Sequence, residues 1–161
     1  MKKNLANSQL LVAVKNADEK QINKYLSAGA DINTSNSNGK KVVHIAGKIK
    51  ELEKAQKITA MLLDNFADVD AFDNEDKTAV FIALENRRYD VAGMFIQFGA
   101  DVYKEQTKNQ DLTPMDLIYD IEDSSAQQRL LELVGQMRKE KSRPYLAKDD
   151  DNQFNQSYHS L

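Results

Sequence analysis

The chain has 161 residues, of which 41% are hydrophobic and 29% charged, and its formal net charge is −3. These proportions are typical of a folded protein with one core and exclude a wholly disordered chain. No apolar run approaches the roughly 18 residues that a membrane-spanning helix needs, and the net charge provides no overall attraction to nucleic acid or anionic lipid. The absence of cysteine excludes disulfides, thiol catalysis and zinc–thiolate sites.

The first predicted elements are two helices near the N-terminus. Residues 1–7 are polar, and we predict that they form a flexible segment. Helices are predicted at 9–15 and 19–28, with a polar break between them. The second helix leads into Gly29-Ala30-Asp31-Ile32-Asn33. Its glycine can adopt the left-handed conformation that ends many helices, so the chain is expected to turn there.

This helix ending recurs twice, with substitutions. It appears 37 residues later as Ala67-Asp68-Val69, and after a further 33 residues as Gly99-Ala100-Asp101-Val102. The copy that ends with the first of these runs, residues 36–72, has helices predicted near 42–46 and 55–65. Its four additional residues lie near 50–53, where either the first helix is prolonged or a loop is inserted.

The copy at residues 73–105 is the most regular. Thr78 is positioned to cap a helix from Ala79 to about Asn86, and Asp90 to cap a second helix. Apolar residues of the second helix recur at steps of three and four and form one stripe: Val91, Met94, Phe95 and Phe98. Such a helical hairpin of about 20 residues cannot bury its apolar face alone, which predicts stacking on its own copies.

The last copy spans residues 106–137. Thr113 followed by Pro114 is a favourable helix start, because the missing N–H of proline is not needed in the first turn. Ser124 or Ser125 is then predicted to cap a final helix, and no closing glycine–alanine–aspartate run follows it. Residues 138–161 are mostly polar, and we predict a disordered C-terminal tail.

These copies resemble the ankyrin repeat, whose unit joins a turn, a threonine–proline–leucine–histidine helix start, a second helix and a glycine–alanine–aspartate close. The resemblance covers residues 8–137, as repeats at 8–35, 36–72, 73–105 and 106–137. Besides the closing runs, it is carried by Ala13, Gly39, His44, Ala46, Thr78, Ala83 and Thr113-Pro114-Met115-Asp116. Four copies in register at this period are a specific signal.

The resemblance implies an all-α solenoid of stacked helix–turn–helix units, with the outer copies acting as caps. It also implies β-hairpin-like fingers between repeats and a concave face lined by the first helices. The sequence departs from the family pattern at three places. Lys41-Val42 replaces threonine–proline, Phe66 replaces a closing glycine, and Asp76 replaces a turn glycine.

No catalytic, cofactor or metal site is expected. His44 has the residue type of a general base, but the resemblance implies a structural histidine that bonds to backbone and hydroxyl groups between repeats. No nucleophile–base arrangement or phosphate-binding glycine loop is present in the sequence. The acidic run Asp149-Asp150-Asp151-Asn152 lacks the glycine turn and closing glutamate of a calcium loop, which favours a solvated acidic run.

Binding is therefore the expected function, with no enzymatic activity. In this family the partner contacts the turn tips and the first-helix residues of the concave face. Transferred by position, the expected partner-binding residues are Lys40, Lys48, Ile49, Phe72, Asn74, Glu75, Lys77, Glu85, Asn86, Leu112 and Asp120. Ile49, Phe72 and Leu112 are apolar at positions expected to be exposed, where they either anchor an interface or fill a local gap.

The expected partner is another protein, with no small-molecule substrate and no membrane, and the chain is expected to be a monomer. A cytoplasmic location is expected, without a cleavable signal peptide. An alternative is a bacterial effector that engages a host protein and uses the tail as an export signal. A lower alternative is RNA binding through the lysines of the second repeat. The clustering of these lysines is better explained by a solvated helix face of mixed charge. They are Lys40, Lys41, Lys48, Lys50, Lys54 and Lys57.

Overall fold

The computed structural model describes residues 2–105, 108 and 112–141. Within them the chain forms helices that pair into four hairpins. The helices are α1 Lys2–Lys15, α2 Glu19–Ser27, α3 Val42–Ala46, α4 Leu52–Asp64, α5 Ala79–Glu85, α6 Tyr89–Gln97, α7 Pro114–Tyr119 and α8 Ser124–Lys141. An isolated antiparallel bridge joins Ser35 and Lys41. The predicted all-α repeat solenoid is confirmed.

Stacking of equivalent helices builds the core. The first helices of successive hairpins pack as α1 on α3, α3 on α5 and α5 on α7, while α4, α6 and α8 pack as a second row. The largest side chains sealed between them include Leu10, Ile22, Ile58, Leu62, Phe81, Phe95 and Ile118. Each hairpin therefore buries its apolar stripe against its neighbours, because a single hairpin is too small to bury it alone.

The third repeat follows its prediction closely. Thr78 caps α5, with its Oγ1 accepting a hydrogen bond from the N–H of Phe81 at 3.4 Å. Gly99 has φ +91° just after α6, as the helix-ending role requires. The prediction that Asp90 caps the second helix is wrong. Helix α6 begins at Tyr89, which places Asp90 in the first turn, where its charge still suits the positive end of the helix dipole.

The fourth repeat has caps at both of its helices. Thr113 Oγ1 accepts from the N–H of Asp116 at 3.2 Å, and Asp116 Oδ2 accepts from the N–H of Thr113 at 2.8 Å. The bonds that Thr113 donates lower the pKa of the Asp116 carboxyl. Asp123, not Ser124 or Ser125, caps α8, because its Oδ1 accepts from two N–H groups of the first turn. The helix continues to residue 141, four residues past the predicted boundary at 137.

Two irregular regions also differ from their predictions. The flexible segment predicted at 1–7 is wrong for its described part, because α1 already begins at Lys2. Ala6 is buried there, and Asn7 Oδ1 accepts from the N–H of Asp31 at 2.8 Å. In the second repeat, the additional residues form a loop at 47–51 and not a prolonged first helix. Of the disordered tail predicted at 138–161, residues 138–141 belong to α8, and residues 142–161 lie outside the described part of the chain.

A ladder of polar side chains joins the helix endings of the first three repeats. The N–H of Asp68 donates to Asn33 Oδ1 at 3.2 Å, and the N–H of Asp101 donates to Asp70 Oδ1 at 2.8 Å. Within the first hairpin, the N–H of Asp31 donates in the same way to Asn7 Oδ1. Tyr103 occupies the next equivalent position, and its hydroxyl accepts from Arg138 Nη1 instead.

Candidate protein-binding groove

A groove on the described surface lies between the second and third repeats. It has a volume of about 570 Å³ and is formed by α3, α5 and the turns that precede them. The residues lining it are Lys40, His44, Gly47, Lys48, Glu75, Lys77, Ala79, Ile82, Ala83, Glu85, Asn86 and Arg88. We call it the α3/α5 groove. Six of the eleven expected partner-binding residues lie there: Lys40, Lys48, Glu75, Lys77, Glu85 and Asn86.

Lys77 is the electrostatic centre of this groove. Its Nζ lies 2.9 Å from Glu85 Oε2 and 3.3 Å from Glu75 Oε2. The hydrogen bond to Glu85 is the main reason that the pKa of Lys77 is raised. The lysine side chain is only 16% exposed, whereas those of Glu85 and Glu75 are 36% and 67% exposed. The cation is thus held at the base of the groove, and the carboxylates remain accessible from solvent.

Lys40 has a different role, because it is bonded into the turn of the third repeat. Its Nζ lies 2.7 Å from Oδ2 of Asp73, whose side chain is only 1% exposed. The other carboxylate oxygen of Asp73 accepts from the N–H groups of Glu75 and Lys77. Burial alone raises the pKa of Asp73, but the bonds from Lys40 and from the two N–H groups outweigh burial, so the pKa is lowered. Lys40 therefore stabilises the turn that presents Glu75.

His44 joins the two repeats from within the groove wall. Its Nδ1 accepts from the N–H of Lys41 at 3.1 Å, and its Nε2 donates to the carbonyl oxygen of Lys77 at 3.0 Å. Both bonds require the neutral ring with its proton on Nε2. Burial is the main cause of its lowered pKa, which favours the same neutral form. The prediction of a structural histidine that bonds backbone between repeats is confirmed.

The other expected partner-binding residues lie outside the groove. Ile49 is 9% exposed and packs in the core, so the prediction that it is an exposed apolar residue is wrong. Phe72 is half-buried, and Lys104 Nζ lies 4.3 Å from its ring centre. Asn74 is exposed at a turn tip, where its Nδ2 donates to the carbonyl oxygen of Ser37. Leu112 and Asp120 are exposed in the fourth repeat.

Arg88 lines the groove, although no pattern in the sequence predicted a role for it. Its Nη1 donates to the carbonyl oxygen of Gly47 at 2.8 Å, and its Nη2 to that of Ile49 at 3.2 Å. The arginine thereby holds the inserted loop of the second repeat against the third repeat. No local pattern signals this role, because the two carbonyl groups lie about 40 residues away in the chain.

The lysines of the second repeat are largely committed to neighbours within the chain. Besides Lys40, Lys54 pairs with Glu51 at 3.0 Å and Lys57 pairs with Glu19 at 2.8 Å. Lys41 Nζ lies 3.5 Å from the carbonyl oxygen of Asn33. Lys48 and Lys50 are exposed. The positive charge of this repeat is therefore partly neutralised locally, as expected for a solvated face of mixed charge.

The described residues contain neither a metal-binding cluster nor a membrane-spanning helix. No cluster of three or more histidine, aspartate or glutamate side chains there is arranged to hold a metal ion. None of the helices in the same part of the chain is long and apolar enough to cross a membrane. The predicted export signal in the tail falls on residues outside this part of the chain.

Comparison with known proteins identifies the family. A family model for ankyrin repeats (3 copies) matches residues 10–106, which is more than half of the chain and includes the first three helix hairpins. No protein of curated function matches the sequence. Ankyrin repeats are generally protein–protein interaction modules and are typically non-catalytic. The length of the match and the four stacked hairpins lead to one conclusion: the chain belongs to the ankyrin repeat family.

Proposed function

We propose that this protein is a non-catalytic binding module that engages a partner protein through the α3/α5 groove. The observation that carries the proposal is the cluster of Lys77, Glu75 and Glu85 in that groove. Two carboxylates there share one lysine, which leaves oxygen lone pairs free to accept hydrogen bonds from a partner.

The groove combines polar groups with an apolar surface, as protein interfaces do. Ile82 is half-buried in the lining, to which the small side chains of Ala79 and Ala83 also contribute. Lys48 and Asn86 are exposed on the rim. A partner segment with an apolar side chain for Ile82 and a cationic or amide donor for Glu85 is complementary to this arrangement.

The groove is also held in shape before any partner binds. His44 and Lys40 bond the second repeat to the third, and Arg88 fixes the loop at 47–49. Preorganisation of this kind favours affinity, because fewer side chains and loops must be ordered on binding. The same bonds explain His44 without a catalytic role.

The proposal is tested with the double variant Lys77→Ala/Glu85→Ala. Removing both members of the pair leaves no unpaired buried charge, so the fold is expected to be retained. Partners captured from a cell extract on the full chain are identified by mass spectrometry, and affinity is then measured by calorimetry with the purified partner. We expect the double variant to bind at least about tenfold more weakly.

The matched control is Lys54→Ala/Glu51→Ala, which removes an exposed ion pair outside the groove. We expect this control to bind as the unmodified chain does, because exposed pairs of this kind contribute little. Equal affinity of both double variants for the partner would contradict a role for the α3/α5 groove.

A further inference from the structure

Phe66 is an exposed aromatic residue in a conformation that favours glycine. It follows α4 with φ +66°, and its side chain is 88% exposed, the highest value among the large hydrophobic residues of the described part. The backbone makes the hydrogen bonds of a helix ending. The N–H of Phe66 donates to the carbonyl oxygen of Leu63 at 2.9 Å, and the N–H of Ala67 donates to the carbonyl oxygen of Leu62 at 3.0 Å. The unusual features therefore belong to the side chain.

The equivalent positions of the first and third repeats show what this position requires. Gly29 has φ +84° and Gly99 has φ +91°, and each N–H makes the same helix-ending bond as Phe66. A Cβ atom built on either glycine meets no atom within 4 Å. The fold thus needs only backbone here, and a side chain at this position enters open space. Phe66 brings steric strain and an exposed ring without any packing that offsets them.

The surroundings of Phe66 are acidic. Asp64 and Asp68 lie two residues to either side, and both are exposed. Asp68 Oδ1 accepts from the N–H of Asp70, and in the described part of the chain neither aspartate forms an ion pair. The C-terminal end of α4 adds the partial negative charge of the helix dipole. An exposed ring with an exposed carboxylate two residues before it and another two residues after it is complementary to a cationic, partly apolar surface.

We propose that Phe66 anchors a second protein-binding surface at the end of α4. Its partner is a polypeptide segment that covers the ring with aliphatic groups and places lysine or arginine beside Asp64 and Asp68. None of the residues that line the α3/α5 groove lies in this segment, so the proposal goes beyond the function inferred above and does not depend on it. Aromatic residues that contact a partner often dominate the affinity of an interface.

The key variant is Phe66→Gly, which restores the residue found in the sister repeats. We expect its melting temperature to be about 2–4 °C higher than that of the unmodified chain, because strain at the left-handed residue is relieved. A peptide library displayed on phage is selected on the full chain and counter-selected on this variant. The recovered peptides are expected to be cationic with aliphatic residues, and in synthetic form to bind Phe66→Gly at least about tenfold more weakly.

Three further variants complete the test of the same peptides. Asp64→Asn/Asp68→Asn, which keeps the turn acceptor at residue 68, is expected to weaken binding and to remove much of its salt dependence. Tyr119→Ser changes another exposed aromatic residue and is expected to leave binding unchanged. Lys77→Ala/Glu85→Ala is also expected to leave it unchanged, which separates this surface from the α3/α5 groove.

Several outcomes would overturn the proposal. A lower melting temperature of Phe66→Gly would show that the ring is structural. A selection without Phe66-dependent peptides, or with acidic ones, would exclude the stated partner. Concentration-dependent dimers that Phe66→Gly abolishes would assign the surface to a second copy of this chain. Phe66-dependent binding to phosphatidylglycerol vesicles would assign it to a membrane.

Discussion

The second and third repeats have the same fold but form it in different ways. The third repeat carries its own local signals, with Thr78 capping α5 and Gly99 ending α6. The second repeat has Lys41 and Phe66 at the equivalent positions, and it contains the inserted loop at 47–51. Contacts with the third repeat stabilise its first helix and its inserted loop. Neighbouring repeats can thus stabilise a unit whose own sequence specifies its structure weakly.

Three contacts carry this stabilisation. His44 accepts from the N–H of Lys41, as the third helical side chain of a capping box does, and it also donates to the carbonyl oxygen of Lys77 in the third repeat. Arg88 holds the inserted loop through two carbonyl oxygens. Phe95 closes the junction from α6, because a Cβ at Gly47 would lie 2.9 Å from its Cε2. Each contact can be removed separately.

The largest effect is expected for Phe95→Ala, because the ring is fully buried at the junction between the repeats. Loss of a buried phenylalanine costs about 3–5 kcal/mol through lost burial and the cavity that remains. The free energy of unfolding is measured by urea denaturation, with the exposed substitution Leu5→Ala as the control. A loss below about 1 kcal/mol would mean that Phe95 does not hold the junction together.

A smaller effect is expected for His44→Ala, which leaves the N–H of Lys41 without its acceptor and removes one of the two hydrogen bonds to the carbonyl oxygen of Lys77. That oxygen still accepts from the N–H of Asp73. We expect a loss of about 2 kcal/mol in the free energy of unfolding, since two bonds are broken and one backbone donor is left without a partner. Retention of a specific partner by the folded variant would agree with a structural role. An unchanged melting temperature would contradict it.

The same residue predicts a dependence of stability on pH. The pKa of His44 is lowered in the fold, mainly by burial, so the unfolded chain binds more protons as the pH falls through the unfolded pKa of about 6.5. The contribution of His44 to stability is therefore fully present above that pH and decreases between about pH 7 and pH 5. The free energy of unfolding of the unmodified chain and of His44→Ala is measured by chemical denaturation at several pH values. Its decrease between about pH 7 and pH 5 should be smaller in the variant.

The smallest of these effects is expected for Arg88→Ala, which releases the loop at 47–49. A loss of about 1 kcal/mol is expected, with faster hydrogen exchange confined to the loop. Arg87→Ala is the matched control. Arg87 is exposed, and its side chain forms no hydrogen bond or ion pair with another described residue. Similar exchange in both variants would mean that Arg88 is not the tether.

Apart from His44, whose role is implied by the family resemblance, the residues whose roles were predicted correctly act within a few positions of themselves. Thr78 and Thr113 bond to N–H groups three residues along the chain, and Gly29 and Gly99 act through their own φ angles. The errors at Asp90, Ser124 and Ser125 are displacements of one or two residues from the observed cap positions. Asp123 supplies the acceptor at the start of α8, whereas Arg88 occupies the cap position of α6 without a side-chain bond.

The larger errors concern residues whose environment is set by distant parts of the chain. Ile49 was expected to be exposed because its position corresponds to a partner-binding position of the family. Arg88 instead holds the loop at 47–49 against the third repeat, and the Ile49 side chain is buried. The N-terminal residues are polar in composition, yet Asn7 is bonded to Asp31 in the following helix ending. Neither partner is near enough in sequence to be inferred from a local pattern.

The sequence by itself determined the repeat, its period and its helix ends, because those depend on apolar spacing, side-chain caps and glycine conformations within one unit. Only the tertiary structure decided which polar groups meet between units. It placed Lys77 between Glu75 and Glu85, joined Lys40 to Asp73, and left Phe66 without a neighbour. The physical reason is that a repeat specifies its own hairpin, whereas a groove or an exposed anchor arises from how hairpins stack.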